Sequence, residues 1–469
     1  ARSLNFTYTQ TAGTLLPGYT EKTAFFGLNR QFSAPGVPFI LGQQYGLQEL
    51  FELAHDRHDW YTDRSDLLNT PLSSLRTSNL QIRTSLEPIR DFNIQLEARQ
   101  QQVKNREAFY RLEVDPVTLL PLGPDRFART IATGSGSFST TFIAINTLFG
   151  DLRKDNTSAA FNRFVENRRA VRNRLQADNL DNGGIYGYNS QEVLIPAFID
   201  AYRGQSSNEG SAKRSSPFDV LPLPNWTVQY NGLTNLPLVQ KYFRSVALRH
   251  SYAADYQVSG YTTSTEYAAE PGGASTVVND QGLYVPYYVM NLVTVSERLS
   301  PLVGVNFQTL QKINGTVDYG LDRALALNTT NAQITELRNK TLTIGFGYTT
   351  NRFRVPFRIG GEQRILRNEL NIRLDLAIRD NVTIQRSIAD VQVPGSQQPD
   401  GGSIGTPTQQ ITNGNRQVQL RPTIDYVINQ RLNLQFFFTR NVSQPRGQVN
   451  SYKNATTEGG IQLRYSLSQ

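Results

Sequence analysis

Residues 370–378 alternate without a break: Leu370, Ile372, Leu374, Leu376 and Ile378 fall on one side, and Asn371, Arg373, Asp375 and Ala377 on the other. A period of two belongs to a strand and cannot be read as a helix. The pattern recurs over Val303, Val305 and Phe307, and over Leu342, Ile344, Phe346 and Tyr348. It returns in Val418, Leu420, Ile424, Tyr426 and Ile428, then in Leu432, Leu434, Phe436 and Phe438, and last in Ile461, Leu463, Tyr465 and Leu467. These apolar stripes carry no charge, over the roughly 9–11 residues that a tilted strand needs to cross a bilayer. Arg373, Asp375, Arg421 and Asp425 all lie on the opposite side. A Lys or Arg facing lipid costs about 2–4 kcal/mol at mid-depth, whereas a wet lumen accepts it. The pattern therefore predicts lipid-facing Leu370, Ile372, Leu374, Leu376, Ile424, Leu434 and Phe436, and lumen-lining Arg373, Asp375, Arg421 and Asp425. Pro422 falls in phase with the apolar side and removes a ladder hydrogen bond, so a bulge or local break is expected there.

Connections in this region read as tight turns at Asp380–Asn381 and Asn429–Gln430, alternating with polar loops over 390–415 and 441–456. Transmembrane barrels show that asymmetry, with short periplasmic turns and long outer loops. Carried to the end of the chain, it places Gln469 in the periplasm. Upstream, 78–86 and 92–98 form an expected hairpin around Glu87–Asp91, and 243–260 and 284–296 are long strand candidates. Residues 155–177 change period. Ala160, Phe161, Phe164, Val165, Val171 and Leu175 make one helical stripe, opposed by Arg163, Glu166, Arg168, Arg169, Arg172 and Arg174. A second helix is expected over about 190–203, where Val193, Leu194, Ala197, Phe198, Ala201 and Tyr202 share a face. The division that follows is 1–150 for barrel strands and loops, 151–222 for a helical extramembrane insertion, and 223–469 for C-terminal barrel strands.

Composition agrees with a wall and not with a soluble core. Charged residues make up 18% of the 469 residues, against about 25% in soluble domains. No run of roughly 20 apolar residues offers a spanning helix. The net charge of +8 is scattered singly, which reads as solvated charge and not as a nucleic-acid surface. Absence of Cys removes disulfides, thiolate metal sites and cysteine nucleophiles together. His55 and His58 offer two metal ligands at i, i+3 with no third nearby, so polar loop packing is the simpler reading. The Gly134–Ser137 stretch lacks the Lys of a phosphate loop. No nucleophile–base constellation stands out, so neither a cofactor nor an enzymatic activity is expected. The chain opens at Ala1 with a strand already under way over 2–9, which predicts a mature product or a piece of a longer polypeptide.

Particular residues then match a known family. Leu16, Pro17, Gly18 and Tyr19 are followed by Ala34, Pro35, Gly36, Phe39, Gly42 and Gln43, and then by Trp60, Asp66, Asn69, Thr70 and Pro71. The most specific string runs from Asn189 to Phe198 (NSQEVLIPAF), with Ala201 and Tyr202. Asn225 and Trp226, Tyr230 to Leu233 (YNGL), Lys241 to Ser245 (KYFRS) and Pro301 to Val305 (PLVGV) add to it, as do Thr335 and Glu336, Ile378 to Asn381 (IRDN), Ile424 to Val427 (IDYV) and Asn429 to Leu434 (NQRLNL). Together these residues resemble the C-terminal part of the SprA (Sov) family, the outer-membrane translocons of the type 9 secretion system of Bacteroidota.

The resemblance implies an all-β fold: an antiparallel transmembrane β-barrel, of which this chain is the C-terminal arc, with a small helical insertion. It implies a protein-conducting channel that exports folded cargo from periplasm to cell surface and takes part in gliding motility. Implied partners are the rest of the SprA/Sov barrel, a PorV-like shuttle barrel, a periplasmic plug protein, cargo with a type 9 C-terminal domain, and outer-membrane lipid. Gly460, Leu463, Tyr465 and Leu467 follow a Gly-x-x-apolar-x-apolar terminal strand that barrel-assembly machinery could read, although the chain finishes on Gln469 and not on an aromatic residue. An outer-membrane porin, a TonB-dependent transporter and a secreted β-sandwich adhesin are the alternatives.

Overall fold

A computed structural model describes residues 3–57, 60–62, 68–113, 115, 117–118, 127–150, 158–179, 182–207, 217–267, 271, 274–354, 365–388, 391–392, 402–403, 407–446 and 452–466. One antiparallel sheet of 14 strands dominates it. In chain order these are β1 (Ser3–Leu15), β2 (Leu72–Leu86), β3 (Phe92–Ala108), β4 (Thr133–Thr141), β5 (Asn225–Tyr230), β6 (Phe243–Thr263) and β7 (Tyr288–Met290). They continue with β8 (Leu292–Thr309), β9 (Ile313–Asn328), β10 (Gln333–Thr350), β11 (Leu370–Ile388), β12 (Pro407–Asn429), β13 (Leu432–Pro445) and β14 (Asn454–Tyr465). Neighbours in sequence are neighbours in space, except that β4 and β5 share one lane, as do β7 and β8. β1 pairs only with β2, and β14 only with β13, so the sheet is open among the described residues.

Several expectations fall to this topology. Asp380 and Asn381 do not turn: they sit inside β11, facing Lys340 and Asn339 on one side and Arg416 and Asn415 on the other. The strands run to 23 residues in β12, so the segments of about ten residues are only parts of them. The strict alternation of short turns and long loops fails too. The β9–β10 turn at 329–332 is tight at the end that carries the 389–406 connection, and 351–369 is a long connection at the opposite end. Residues 284–296 are not one strand, since β7 and β8 divide at Asn291 and 284–287 lie outside both. The turns at 87–91 and at Asn429–Gln430 are present. At Pro422 the β12–β13 pairing lapses between Leu420–Arg440 and Thr423–Phe437, yet the register is unchanged across the lapse, so this is a local break and not a bulge.

One lane of the sheet is made of two strands. β4 enters it and stops at Thr141; β5 resumes it at Asn225. Gln100 pairs with Thr140 and Glu97 with Asn225, so only the position level with Ala98 is missing. From the other side, Thr141 pairs with Asp255 and Trp226 with Tyr252, leaving only the position level with Ala254. Residues 142–224 therefore branch out of a gap one residue wide. Buried backbone groups need partners, and side chains at the gap supply them. Asn225 Oδ1 accepts from the Ala254 N–H at 2.9 Å, the Phe142 N–H donates to Ala254 O at 2.9 Å, and Thr141 Oγ1 accepts from the Arg99 N–H at 3.1 Å.

The branch carries two long helices, α1 (Ala159–Asp178) and α2 (Gln191–Arg203), the second closed by Gly204 in the left-handed region at φ 83°. Phe161, Phe164 and Val171 of α1 and Val193, Leu194, Ala197, Phe198 and Ala201 of α2 bury themselves against Tyr256, Val258, Val293, Val295, Leu325, Leu327 and Ile334 of the sheet. The Asn189–Phe198 string is where this cover locks on. Asn189 Oδ1 accepts from buried Arg168 at 2.5 Å, and Gln191 accepts from the Met290 N–H at 2.9 Å while donating to Tyr288 O.

Candidate membrane-facing wall

Successive side chains of a strand point to opposite faces, so the register assigns every lane to one face or the other. Leu4, Phe6 and Tyr8 of β1 share a face with Leu80 and Ile82 of β2, and then with Ile94 and Leu96 of β3 and with Val228 and Trp226 of β5. Val305 and Phe307 of β8, Val317 and Tyr319 of β9, and Leu342, Ile344 and Phe346 of β10 continue it. Leu374, Leu376 and Ile378 of β11, Leu420, Ile424 and Tyr426 of β12, Leu434 and Phe436 of β13, and Ile461 and Leu463 of β14 complete it. The apolar face is thus one surface from the first strand to the last.

That surface is bare over half its height. Leu374 and Phe436 remain 39% and 40% exposed despite flanking strands on both sides. Leu370 differs from the other predicted lipid-facing residues: it is 3% exposed and so takes no part in the open surface. Above the bare half, three connections fold over this same face. The described residues of 142–224 cover the middle lanes; Tyr284, between β6 and β7, joins the same core; and Leu47, Leu50, Phe51 and Trp60, between β1 and β2, pack against Leu72 and Ala108.

The bare band has chemically marked limits. Below it, at the turn end of the strands, stand Phe92, Tyr230, Tyr348, Tyr426 and Tyr465. Above it, on the apolar face itself, Lys340, Asp380 and Arg416 form a cross-strand row, with Arg446 3.1 Å from Asp380. On β2 and β3 the same face turns polar through Gln100, Gln102, Lys104 and Arg76. Arg440, opposite Leu420 just below the charged row, is the exception within the band. Nine residues, 370–378, separate Asp380 from the turn end, the buried Leu370 among them, against the roughly 9–11 that a tilted strand takes to cross hydrocarbon.

The opposite face is predominantly polar. Asp375 faces Arg421 directly across β11 and β12, and Gln435 donates to Asp425 at 2.6 Å. Arg249 binds Asp318 at 2.9 Å, Arg99 binds Asp255 at 3.0 Å and Arg83 binds Glu97 at 3.1 Å, all on this face. The four charged residues read from sequence thus share a face with ion pairs on β2, β3, β6 and β9 that sequence reasoning missed. Those partners lie up to 156 residues apart, which no local pattern reports.

A buried ionic ledge lies under the helical cover. Arg323 and Glu297 pair with neither side chain exposed. Arg323 also donates to Thr147 O and Thr147 Oγ1 at 2.8 Å each, and the Tyr252 hydroxyl donates to Glu297 at 2.8 Å. Arg386 meets Glu336 at 2.6 Å, and Arg338 binds both Glu336 and Gly150 O. Arg323 and Arg338 take up the carbonyls of Ala144, Thr147 and Gly150, where the chain has just left the sheet, and so fix the root of the branch. Within the branch, burial pushes the Glu192 carboxyl up to about 7, against the downward pull of a 2.6 Å hydrogen bond from Ser275.

The residues weighed for other chemistry have structural roles. His55 stacks on Phe51 with ring centroids 5.2 Å apart; His58, Asp66 and Leu467 lie outside the described residues. No group of three or more His, Asp or Glu gathers among the described residues. Gly136 lies in β4, where a Cβ would come within 2.0 Å of Val103 O, so the Gly-Ser stretch serves a close strand approach. Gly460 makes room for the Phe437 ring, which its Cβ would meet at 2.8 Å, while Leu463 and Tyr465 are exposed on the outermost strand.

No family model matches the chain, and no curated protein matches it. Among solved structures it is similar to one described as the structure of the RagAB peptide transporter, at 8% identity and a TM-score of 0.26. That similarity covers 82% of this chain and 37% of the other, so the chain spans little more than a third of that protein's length. No described helix is long and apolar enough to cross a membrane. A large antiparallel sheet of this kind is compatible with an outer-membrane β-barrel.

Proposed function

We propose that this chain is an arc of the wall of an outer-membrane β-barrel, and that the barrel is a protein-conducting channel of the type 9 kind. The continuous apolar band, bounded by a charged row on one side and aromatic residues on the other, carries the membrane half of the reading. Aromatic girdles and a charge-free belt are what a strand wall needs in lipid. The sequence resemblance carries the secretion half.

In this reading Ile372, Leu374, Leu376, Ile424, Leu434 and Phe436 face lipid, and Arg373, Asp375, Arg421 and Asp425 line a wet lumen. The open edges of β1 and β14 pair with the remaining strands of the barrel, because unpaired backbone groups are not tolerated in hydrocarbon. The turn end of the strands, and with it the C-terminus, lies in the periplasm. Gly460, Leu463 and Tyr465 belong to the strand that the assembly machinery reads, and a PorV-like barrel, a periplasmic plug and cargo are the partners. No residue performs chemistry; transport depends on lumen width and polar lining. Two measurements test this. Carbonate washing should leave the protein in the membrane, and its release would end the wall reading. Deleting the gene should strand type 9 cargo in the periplasm, and normal secretion would end the translocon reading.

A further inference from the structure

The sequence does not say on which side of the wall the helical branch sits. A branch from the middle of a strand could plug the lumen or stand outside it. The registers decide the face. α1 and α2 bury Tyr256, Val258, Val293, Val295, Leu325, Leu327 and Ile334, which continue upward the same face as Val305, Val317, Ile344 and Leu376. Ser296, Arg298 and Ala324, at the same height on the polar face, stay exposed beneath no helix.

Resting on the membrane-wall reading above, we infer that the branch 142–224 is a collar on the lipid side of the wall, seated on the membrane head groups and leaving the polar side open. The opposite assignment would turn Arg373, Asp375, Arg421, Asp425 and the Arg249–Asp318 pair toward hydrocarbon, at about 2–4 kcal/mol for each Arg at mid-depth. The apolar side chains described on the polar face, such as Leu75, Leu337 and Phe437, are single and scattered and do not offset this. The collar must also lie beyond the hydrocarbon, because it begins level with the charged limit of the band. Arg338, two residues above Lys340 on the same face, holds Gly150 O, and the Leu223 N–H donates to Thr141 O at the gap. Beside these two anchor points, Phe149 and Leu221 are 52% and 77% exposed. Exposed apolar residues on the lower rim of a cover, directly above a bare apolar band, fit the amphipathic head-group layer. Arg163 of α1, whose guanidinium lies with Asn146 beside Gly204 near the root, adds the sign that anionic head groups attract.

The chain contains no Cys, so single substitutions can be labelled one at a time. In the full protein, otherwise cysteine-free and held in planar bilayers, a bulky charged methanethiosulfonate is applied to Arg169→Cys and to Arg373→Cys. Modification at Arg373→Cys should lower the conductance and modification at Arg169→Cys should leave it unchanged. A block from Arg169→Cys would make the branch a plug and overturn the inference. No effect from either site would instead count against the channel reading. A nitroxide on Phe149→Cys in phospholipid vesicles should report head-group depth, accessible to both oxygen and a water-soluble nickel chelate. Bulk-water accessibility equal to that at Arg169→Cys would remove the membrane contact from the inference.

Discussion

Replacing Leu374 by Arg tests the wall more directly than any loss of function. Leu374 sits in the middle of the bare band, between Phe346 of β10 and Pro422 of β12 on the same face. Its nearest charge on that face along its own strand is Asp380, six residues or about 20 Å away at the strand rise, too far for a guanidinium to reach water by snorkelling. The full mid-plane penalty should therefore apply, about 2–4 kcal/mol, which is a roughly 30- to 1,000-fold loss in the folding equilibrium. Thr343→Arg is the matched control. Thr343 lies on the polar face, with Asp318 and Ala377 across the neighbouring strands. A cation there meets water and a carboxylate, so the change should stay within about 0.5 kcal/mol. The assay is urea-dependent folding into phospholipid vesicles, followed by the mobility shift of the folded barrel on unheated gels. Equal destabilisation by the two substitutions, or a Leu374→Arg effect below about 0.5 kcal/mol, would refute the assignment of faces.

Three further outcomes follow from the branch and its root. Arg323→Met should leave Glu297 buried without its partner and cost about 3–5 kcal/mol, while the Glu297→Met/Arg323→Met pair, which removes the lone charge but still strands Thr147 O, should cost about 1–3 kcal/mol; equal losses in limited proteolysis of the branch would contradict the ledge. Asn225→Ala should strand the Ala254 N–H and cost about 1–3 kcal/mol, whereas Asn225→Asp keeps the acceptor; a protection factor at Ala254 that is unchanged in the Ala variant would refute the bridging role. The Glu192 carboxyl, held up at about 7 against an unfolded value of 4.5, is protonated more readily in the fold. The branch should therefore lose stability as pH rises from 4.5 to 7, by roughly 3 kcal/mol at most. Glu192→Gln should flatten that slope in hydrogen exchange of α2, and an identical slope in the variant would remove Glu192 as its cause.

The lower half of the wall was legible because its two faces differ everywhere: Leu370 to Ile378 alternate against Asn371 to Ala377 with nothing to interrupt them. The upper half was not, because its buried face carries Glu297, Arg323, Glu336 and Arg386 among apolar residues, and those charges find partners only across strands or in the branch. Period two disappears wherever a buried position is ionic. Asp380–Asn381 read as a turn for a related reason. The pair is polar on both faces where the apolar band meets its charged limit, and a polar dipeptide there has the composition of a turn without the geometry. The helices were visible from their own period, but the face they cover was not, since that depends on registers between strands far apart in sequence. The gap between Thr141 and Asn225 leaves no local trace at all: two short strands separated by the branch look like two lanes until their neighbours show that they share one.

That shared lane has a consequence for how such a protein can vary. Because the branch leaves and returns through a space one residue wide, its length is independent of the wall's geometry. Closing a longer excursion costs only about 0.6 kcal/mol for each doubling. The excursion from Thr141 could lengthen without altering one strand register. What grows there can change in length at a rate the wall does not set, as long as it still covers Tyr256, Val295 and the Arg323–Glu297 pair.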